Sequence, residues 1–155
     1  AVLNAFREAT LITLAALLLL MVVLLRRLRE VALVFAPLFL SALLLLPISV
    51  LAGLPFNFAN VIVLPLLFGL GIANGIQFVF REKLEKDTAQ VLATTTPRAV
   101  IFSALTTMVS FGSLAISSHP GTANMGLLLA IALTLVLGAT LFVLPALMLV
   151  WKRRD

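Results

Sequence analysis

Two amides and two glycines lie close together within the long apolar stretch VIVLPLLFGLGIANGIQFVFR, residues 61–81. Asn74 and Gln77 are three residues apart, so in a helix they share a face. Gly71 and Gly75 form a G-x-x-x-G pair, which lets another helix approach closely. Amides both donate and accept hydrogen bonds, so this pair could join neighbouring helices or contact a transported molecule. We predict that this face is buried among other helices, with interhelical hydrogen bonding as the simpler role.

Hydroxyl side chains supply most of the remaining polar groups in the apolar stretches, and Thr106 and Thr107 are the adjacent pair that we retain as transport candidates. Serine and threonine in such helices commonly donate to the backbone of the preceding turn, so a structural role is the simpler interpretation. No charged residue lies in the central part of any apolar stretch. We therefore expect neither a buried ion pair nor a carboxylate proton relay from this chain alone.

The composition argues against several classes of protein. The chain has no cysteine and one histidine, so it offers no thiolate metal site and no histidine cluster. It also lacks a nucleophile paired with a base and a phosphate-binding glycine loop, so we expect no enzymatic activity, catalytic residue, metal or cofactor. Its net charge of +5 comes from short basic groups that flank apolar runs. That pattern indicates membrane topology rather than nucleic-acid binding.

The elements that position these residues are long apolar runs. Of 155 residues, 63% are hydrophobic and 11% are charged, far from the roughly 25% charged residues of soluble domains. We predict an all-α integral membrane protein, with residues 1–155 forming a single bundle of five transmembrane helices. The predicted spans cover residues 8–27, 31–52, 61–80, 99–116 and 125–150. Residues 81–96 are predicted to form one short cytoplasmic amphipathic helix.

Five spans place the two ends of the chain on opposite sides of the membrane, and the basic residues indicate the orientation. Of the 11 lysines and arginines, all but Arg7 fall on one side of the predicted bundle. The positive-inside rule makes that side cytoplasmic, with a periplasmic N-terminus and a cytoplasmic C-terminus. An outward N-terminus predicts that a preceding helix is missing from this chain.

Two motifs carry a family resemblance that covers nearly the whole chain. GLPFNFANVIVLPLLFGLGIANGIQFVFR resembles the fourth helix of resistance-nodulation-division (RND) transporters of the lipid-handling, MmpL-like branch. RAVIFSALTTMVSFGSLAISSHPGTANMGLLLAIALTLVLGATLFVLPALM resembles their fifth and sixth helices, and SSHPGTANMG is most similar to the hopanoid-associated exporters. The resemblance implies that the chain holds helices two to six of one transmembrane half, a block that also resembles a sterol-sensing domain. It further implies partners outside the chain: the first helix, a periplasmic porter domain and the second half.

One position departs from the family pattern. Many members carry an acidic residue in a motif similar to GxGxDxG, where this chain has Ala73 between Gly71 and Gly75. Alanine cannot titrate, so the relay lies in the other half, coupling takes another route, or this subgroup does not use the proton gradient. The resemblance implies an exporter in the bacterial inner membrane that moves hopanoid-like lipids towards the outer membrane, with membrane lipids as partners. Proton-driven solute efflux and a non-transporting, sterol-sensing-like scaffold are the alternatives, and homo-oligomerisation is compatible with either.

Overall fold

The computed structural model describes residues 2–54, 62–85 and 88–152, and these ranges are helical almost throughout. Seven α-helices occur in the described ranges: α1 Val2–Leu25, α2 Leu28–Leu51, α3 Val63–Glu85, α4 Thr88–Ala93, α5 Thr96–Gly112, α6 Pro120–Gly138 and α7 Leu144–Lys152. A 3-10 turn, Ser113–Ile116, prolongs α5, and a π-helical turn, Ala139–Val143, joins α6 to α7. The described residues contain no β-strand, so the prediction of an all-α protein is confirmed.

Four of the described helices are long and apolar enough to cross a membrane. They are Leu28–Leu51, Val63–Glu85, Thr96–Ile116 and Pro120–Trp151. The apolar part of α1, Leu11–Leu25, is shorter than these four. Many side chains on the outside of the bundle are therefore apolar, as expected for a surface that is surrounded by lipid.

The charged segment that was predicted as one amphipathic helix is divided between two elements. α3 continues through Glu85, where the Arg81 guanidinium forms an ion pair with the Glu85 carboxylate at 2.8 Å. The next helix, α4, has only six residues. Its Val91 side chain is buried, which fixes this short helix against the bundle. The charges at 81–85 thus extend a membrane-length helix because they lie beyond its apolar part, where polar contacts are available.

Three helix termini meet at one end of the bundle. Lys83 near the end of α3 pairs with Glu30 in the first turn of α2, with 2.6 Å between Nζ and the carboxylate oxygen. The Arg29 guanidinium lies 5.8 Å from the ring centre of Trp151 at the end of α7. We call this the charged end and define it as residues 26–30 and 81–85 with Trp151. It follows that α3 and α7 run parallel and that α2 runs antiparallel to both.

The packed centre of the bundle is formed by α2, α3 and α6, which contact one another pairwise. Its fully buried side chains include Leu38, Leu67, Phe78, Leu129 and Val136. By contrast, α5 has only two buried residues, Val100 and Ala104, and packs mainly against α6. Between helices in lipid, close van der Waals packing provides most of the association energy, so small residues at the contacts have large effects.

The helix that ends the chain changes its hydrogen-bond pattern near a proline. The Leu144 N–H donates to the Ala139 carbonyl, five residues back, which widens one turn. Pro145 follows directly; its ring lacks an N–H and would clash with the carbonyl four residues back in a regular helix. A π-helical turn is one of the local adjustments that accommodate such a proline in a membrane helix. The side chain of Thr140 in this turn is buried.

Candidate functional site

The two predicted glycines of α3 lie against neighbouring helices. A methyl group at Gly71 would overlap the Leu38 side chain of α2 and lie 3.0 Å from Cγ1 of Val136 on α6. At Gly75 the same addition would lie 2.8 Å from Cγ1 of Val34 on α2. Both distances are shorter than ordinary contacts between methyl groups. The absence of a side chain at these positions is therefore what allows α2 and α6 to pack closely on α3.

The two amides of α3 differ in environment. Asn74 is buried, with 6% of its surface exposed, whereas Gln77 is exposed. The prediction of one buried face that holds both amides is therefore wrong for Gln77. Residues three apart on a helix differ by about 60° in direction, and the edge of the contact with the neighbouring helices falls within this angle.

Asn74 also lacks the interhelical hydrogen bond that was the simpler interpretation of its sequence. In the described part of the chain, no hydrogen bond reaches its side chain. Burying an amide among apolar helices costs free energy, because hydrogen bonds to water are lost. The described side-chain atoms that are buried without a hydrogen-bond partner belong to Glu30 and Arg81 and not to Asn74. Asn74 stays a candidate for contact with something outside these residues because it is a buried polar side chain among apolar helices.

The position that corresponds to the family's acidic residue lies on the opposite side of α3. Ala73 is exposed, as is Gln77 one turn later, and Gly69 one turn earlier has open space where a side chain would lie. These three residues are spaced by four and so define one face of the helix. We call Gly69, Ala73 and Gln77 the outer face of α3. It carries no titratable group, so it cannot itself hold a proton.

The threonine candidates lie on α5 and use their hydroxyls within that helix. Thr106 donates to the Phe102 carbonyl and Thr107 to the Ser103 carbonyl, each at 2.8 Å. Ser110 continues the same pattern by donating to the Thr106 carbonyl. Bonds to the carbonyl four residues back satisfy each hydroxyl donor without a neighbouring helix. The structure therefore favours the structural interpretation of Thr106 and Thr107, which lie on a different element from the α3 residues.

Sequence reasoning missed a third glycine contact, between α6 and α5. A methyl group at Gly126 would lie 2.8 Å from the Phe111 carbonyl oxygen, from the Ala115 nitrogen and from Cβ of Leu114. Two of these atoms belong to the backbone, so they cannot move aside as the end of a side chain can. Gly126 lies two residues after the loop motif SSHPGTAN, in the second turn of α6, and a lone glycine there gives no sign of which element will pack on it.

An ion pair at the charged end was also missed; it lies outside the central parts of the spans, to which the expectation of no buried ion pair applied. Glu30 is buried while Lys83 is half-exposed. The Oε2 atom of Glu30 is buried, and no hydrogen bond of suitable angle reaches it from the described residues. Lys83 at 2.6 Å is thus the group that compensates its charge. Glu30 was assigned to the link between spans, whereas the structure places it inside α2.

Comparison with known proteins places these features in context. A family model described as the MMPL family matches residues 4–155. The hopanoid transporter HpnN of Rhodopseudomonas palustris (strain TIE-1) is 46% identical over 144 residues, which are 93% of this chain and 16% of that protein. The hopanoid transporter HpnN of Burkholderia multivorans (strain ATCC 17616 / 249) is 40% identical over 142 residues, 91% of this chain and 16% of that protein.

These matches agree with the resemblance seen in the two sequence motifs and extend it to almost every residue of the chain. The chain spans about one sixth of the length of the relatives it matches. Its apolar, membrane-length helices are those of a multi-pass membrane protein. From the match over residues 4–155, the chain belongs to the MMPL family.

Proposed function

We propose that this chain is the transmembrane portion of an RND-type exporter in the bacterial inner membrane, and that the exporter moves hopanoid-like lipids towards the outer membrane. The observation that carries the proposal is the identity of 46% and 40%, over more than nine-tenths of the chain, to two proteins that are both named hopanoid transporters. The chain would form a single bundle holding helices two to six of one half. The first helix, the porter domain and the second half would lie in the rest of the protein.

The orientation follows from charge. The basic residues Arg26, Arg27, Arg29, Arg81 and Lys83 lie at the charged end, whereas Arg7 lies near the start of α1. By the positive-inside rule this end would face the cytoplasm, which leaves the N-terminus in the periplasm, where the family's porter domain is expected.

The glycine contacts supply a mechanism for transmitting movement. Because side chains of α2 pack directly on Gly71 and Gly75, and Val136 of α6 packs on Gly71, a displacement of one helix would displace the others. Asn74, buried between these glycines in the chain, would mark the moving contact. Coupling to protons through Ala73 is excluded by its chemistry, so a proton-driven mechanism would need a relay in the other half or another route.

The proposal is tested by reconstituting the full-length protein in liposomes and measuring transfer of a labelled hopanoid, with and without a pH gradient. We expect transfer by the native protein and a loss of at least tenfold in Gly75→Leu, with normal membrane insertion. The matched control is Gly69→Leu, since Gly69 has open space. Hopanoid binding without transfer would favour the sterol-sensing-like scaffold, and pH-driven transfer of solutes alone would favour solute efflux. Either result would contradict the proposal.

A further inference from the structure

The two-residue link between α1 and α2 contains a backbone conformation that its sequence does not explain. Arg26 has a φ angle of 56°, in the left-handed region. Its N–H donates to the Val22 carbonyl at 2.9 Å, which closes the end of α1. Glycine is the usual residue at this position of a helix terminus, because the Cβ of any other residue crowds the following carbonyl. An arginine is thus held where a glycine would fit without strain.

The positive charges of this link are not used within the described part of the chain. Arg26 and Arg27 are both exposed, and neither takes part in an ion pair there. The nearby carboxylates are already engaged: Glu30 pairs with Lys83, and Glu85 pairs with Arg81. Strain that persists at a residue without an internal partner points to an interaction with another molecule.

The surroundings of the link indicate the chemistry of that molecule. Val23, just before the link, is 64% exposed, and Leu28, just after it, is 77% exposed. These apolar side chains belong in hydrocarbon, so the two guanidinium groups between them lie where the hydrocarbon ends. At this depth the surrounding groups are lipid phosphates, and guanidinium binds phosphate through paired hydrogen bonds.

We propose that Arg26 and Arg27 form a binding site for the phosphate of an anionic phospholipid at the charged end of the bundle. The left-handed residue ends α1 at this point, and both arginines of the link are exposed. This lipid would be a structural partner of the bundle and is distinct from any transported lipid, so the inference does not depend on the proposed function.

The test uses the purified full-length protein in detergent, titrated with short-chain phosphatidylglycerol and, separately, with short-chain phosphatidylcholine. The variants Arg26→Gln and Arg26→Gln/Arg27→Gln remove charge, Arg26→Lys keeps it, and Arg7→Gln is the matched control at the other end. We expect the dissociation constant for phosphatidylglycerol to rise about fivefold for each charge removed, to rise by less in Arg26→Lys, which keeps the charge but loses the paired hydrogen bonds, and to stay near the native value in Arg7→Gln. Phosphatidylcholine should bind weakly to every variant.

A second measurement separates the effect of backbone strain at Arg26 from the effect of lipid binding. In nanodiscs of pure phosphatidylcholine, Arg26→Gly should melt several degrees higher than the native protein, because glycine relieves the backbone strain. In nanodiscs containing one quarter phosphatidylglycerol, the native protein should gain more thermal stability than Arg26→Gly. Equal gains in both proteins, an equal loss of affinity in Arg7→Gln, or the same stabilisation by inorganic phosphate would overturn the proposal.

Discussion

Single residues of α3 differ in what they can tolerate although their sequence environment is uniform. Gly71 and Gly75 have no room for a methyl group, while Gly69 on the same helix has open space. Val34, which faces Gly75, is fully buried and branched at Cβ, so it has few alternative rotamers with which to yield. The glycines of one apolar helix therefore divide into contact residues and replaceable ones.

We expect Gly75→Ala to lower the free energy of unfolding by about 1–2 kcal/mol, because the added methyl overlaps Val34. Gly69→Ala should leave stability unchanged or raise it by up to about 1 kcal/mol, since alanine favours the helix. Unfolding in mixed micelles followed by circular dichroism measures both. The double variant Gly75→Ala/Val34→Ala should recover part of the loss, and equal losses in the two single variants would contradict the contact.

At Asn74, in contrast to Gly75, we expect a substitution to stabilise the protein. Replacing its amide by the similarly branched side chain in Asn74→Leu should raise the free energy of unfolding by roughly 1 kcal/mol, because the cost of burying a polar group among apolar helices is removed. The same unfolding measurement applies. If the variant proved less stable by that amount, Asn74 would have a partner that stabilises the fold. A stable variant with impaired lipid transfer would assign Asn74 to transport.

At the scale of elements, the α5–α6 hairpin depends on backbone contact more than on side-chain burial. Only two residues of α5 are buried, and Gly126 meets the backbone at Phe111 and Ala115. The hydroxyl bonds along α5 are internal to that helix and so do not hold it to α6. The close approach at Gly126 is thus one of the contacts that set how α5 packs on α6, together with the hydrogen bond from the Thr134 hydroxyl to the Met108 sulfur.

Gly126→Ala should therefore destabilise the protein by about 2–3 kcal/mol, more than Gly75→Ala, since backbone atoms cannot rotate away. Gly112→Ala on α5 is the control, because nothing lies near its added methyl. Protease sensitivity of the loop at 117–119, measured together with thermal unfolding, would show whether the hairpin separates. Comparable stability of the two variants would mean that α5 shifts freely on α6.

The membrane helices were easier to predict from the sequence than the contacts between them. Long apolar runs bounded by charges or turn residues specify membrane helices, because the backbone must satisfy its own hydrogen bonds in lipid. A helix that is apolar on nearly all sides gives no sign of which side is buried, which is why Gln77 was placed on the wrong face. The Glu30 and Lys83 pair joins residues 53 positions apart, so no local pattern could reveal it.

For the whole molecule, the clearest organising feature is the separation of charge along the bundle. The ends of α1, α3 and α7 and the start of α2 lie together, joined by contacts from Glu30 to Lys83 and from Arg29 to Trp151. The chain covers about one sixth of its relatives' length, and the outer face of α3 is exposed within it. The proposed orientation can nonetheless be tested on this part alone.

We predict that Ser118→Cys is labelled by a membrane-impermeant maleimide added outside spheroplasts and that Thr95→Cys is labelled only after the membrane is opened. Both positions are exposed, and they lie at the two ends of α5. The chain contains no cysteine, so only cysteines in the rest of the full-length protein would have to be replaced before labelling. The reverse labelling pattern would show that the charged end faces the periplasm.

The π-helical turn at Ala139–Val143 has a consequence for the residues that follow it. Such a turn contains one residue more than a regular turn, so α7 is out of phase with α6 by about 100° of rotation. Deleting the exposed Phe142 would turn Leu144 and Met148 from the interior towards lipid and would leave the Pro145 ring to clash with the carbonyl four residues back. The extra residue therefore sets the direction of the α7 side chains as well as making room for the proline.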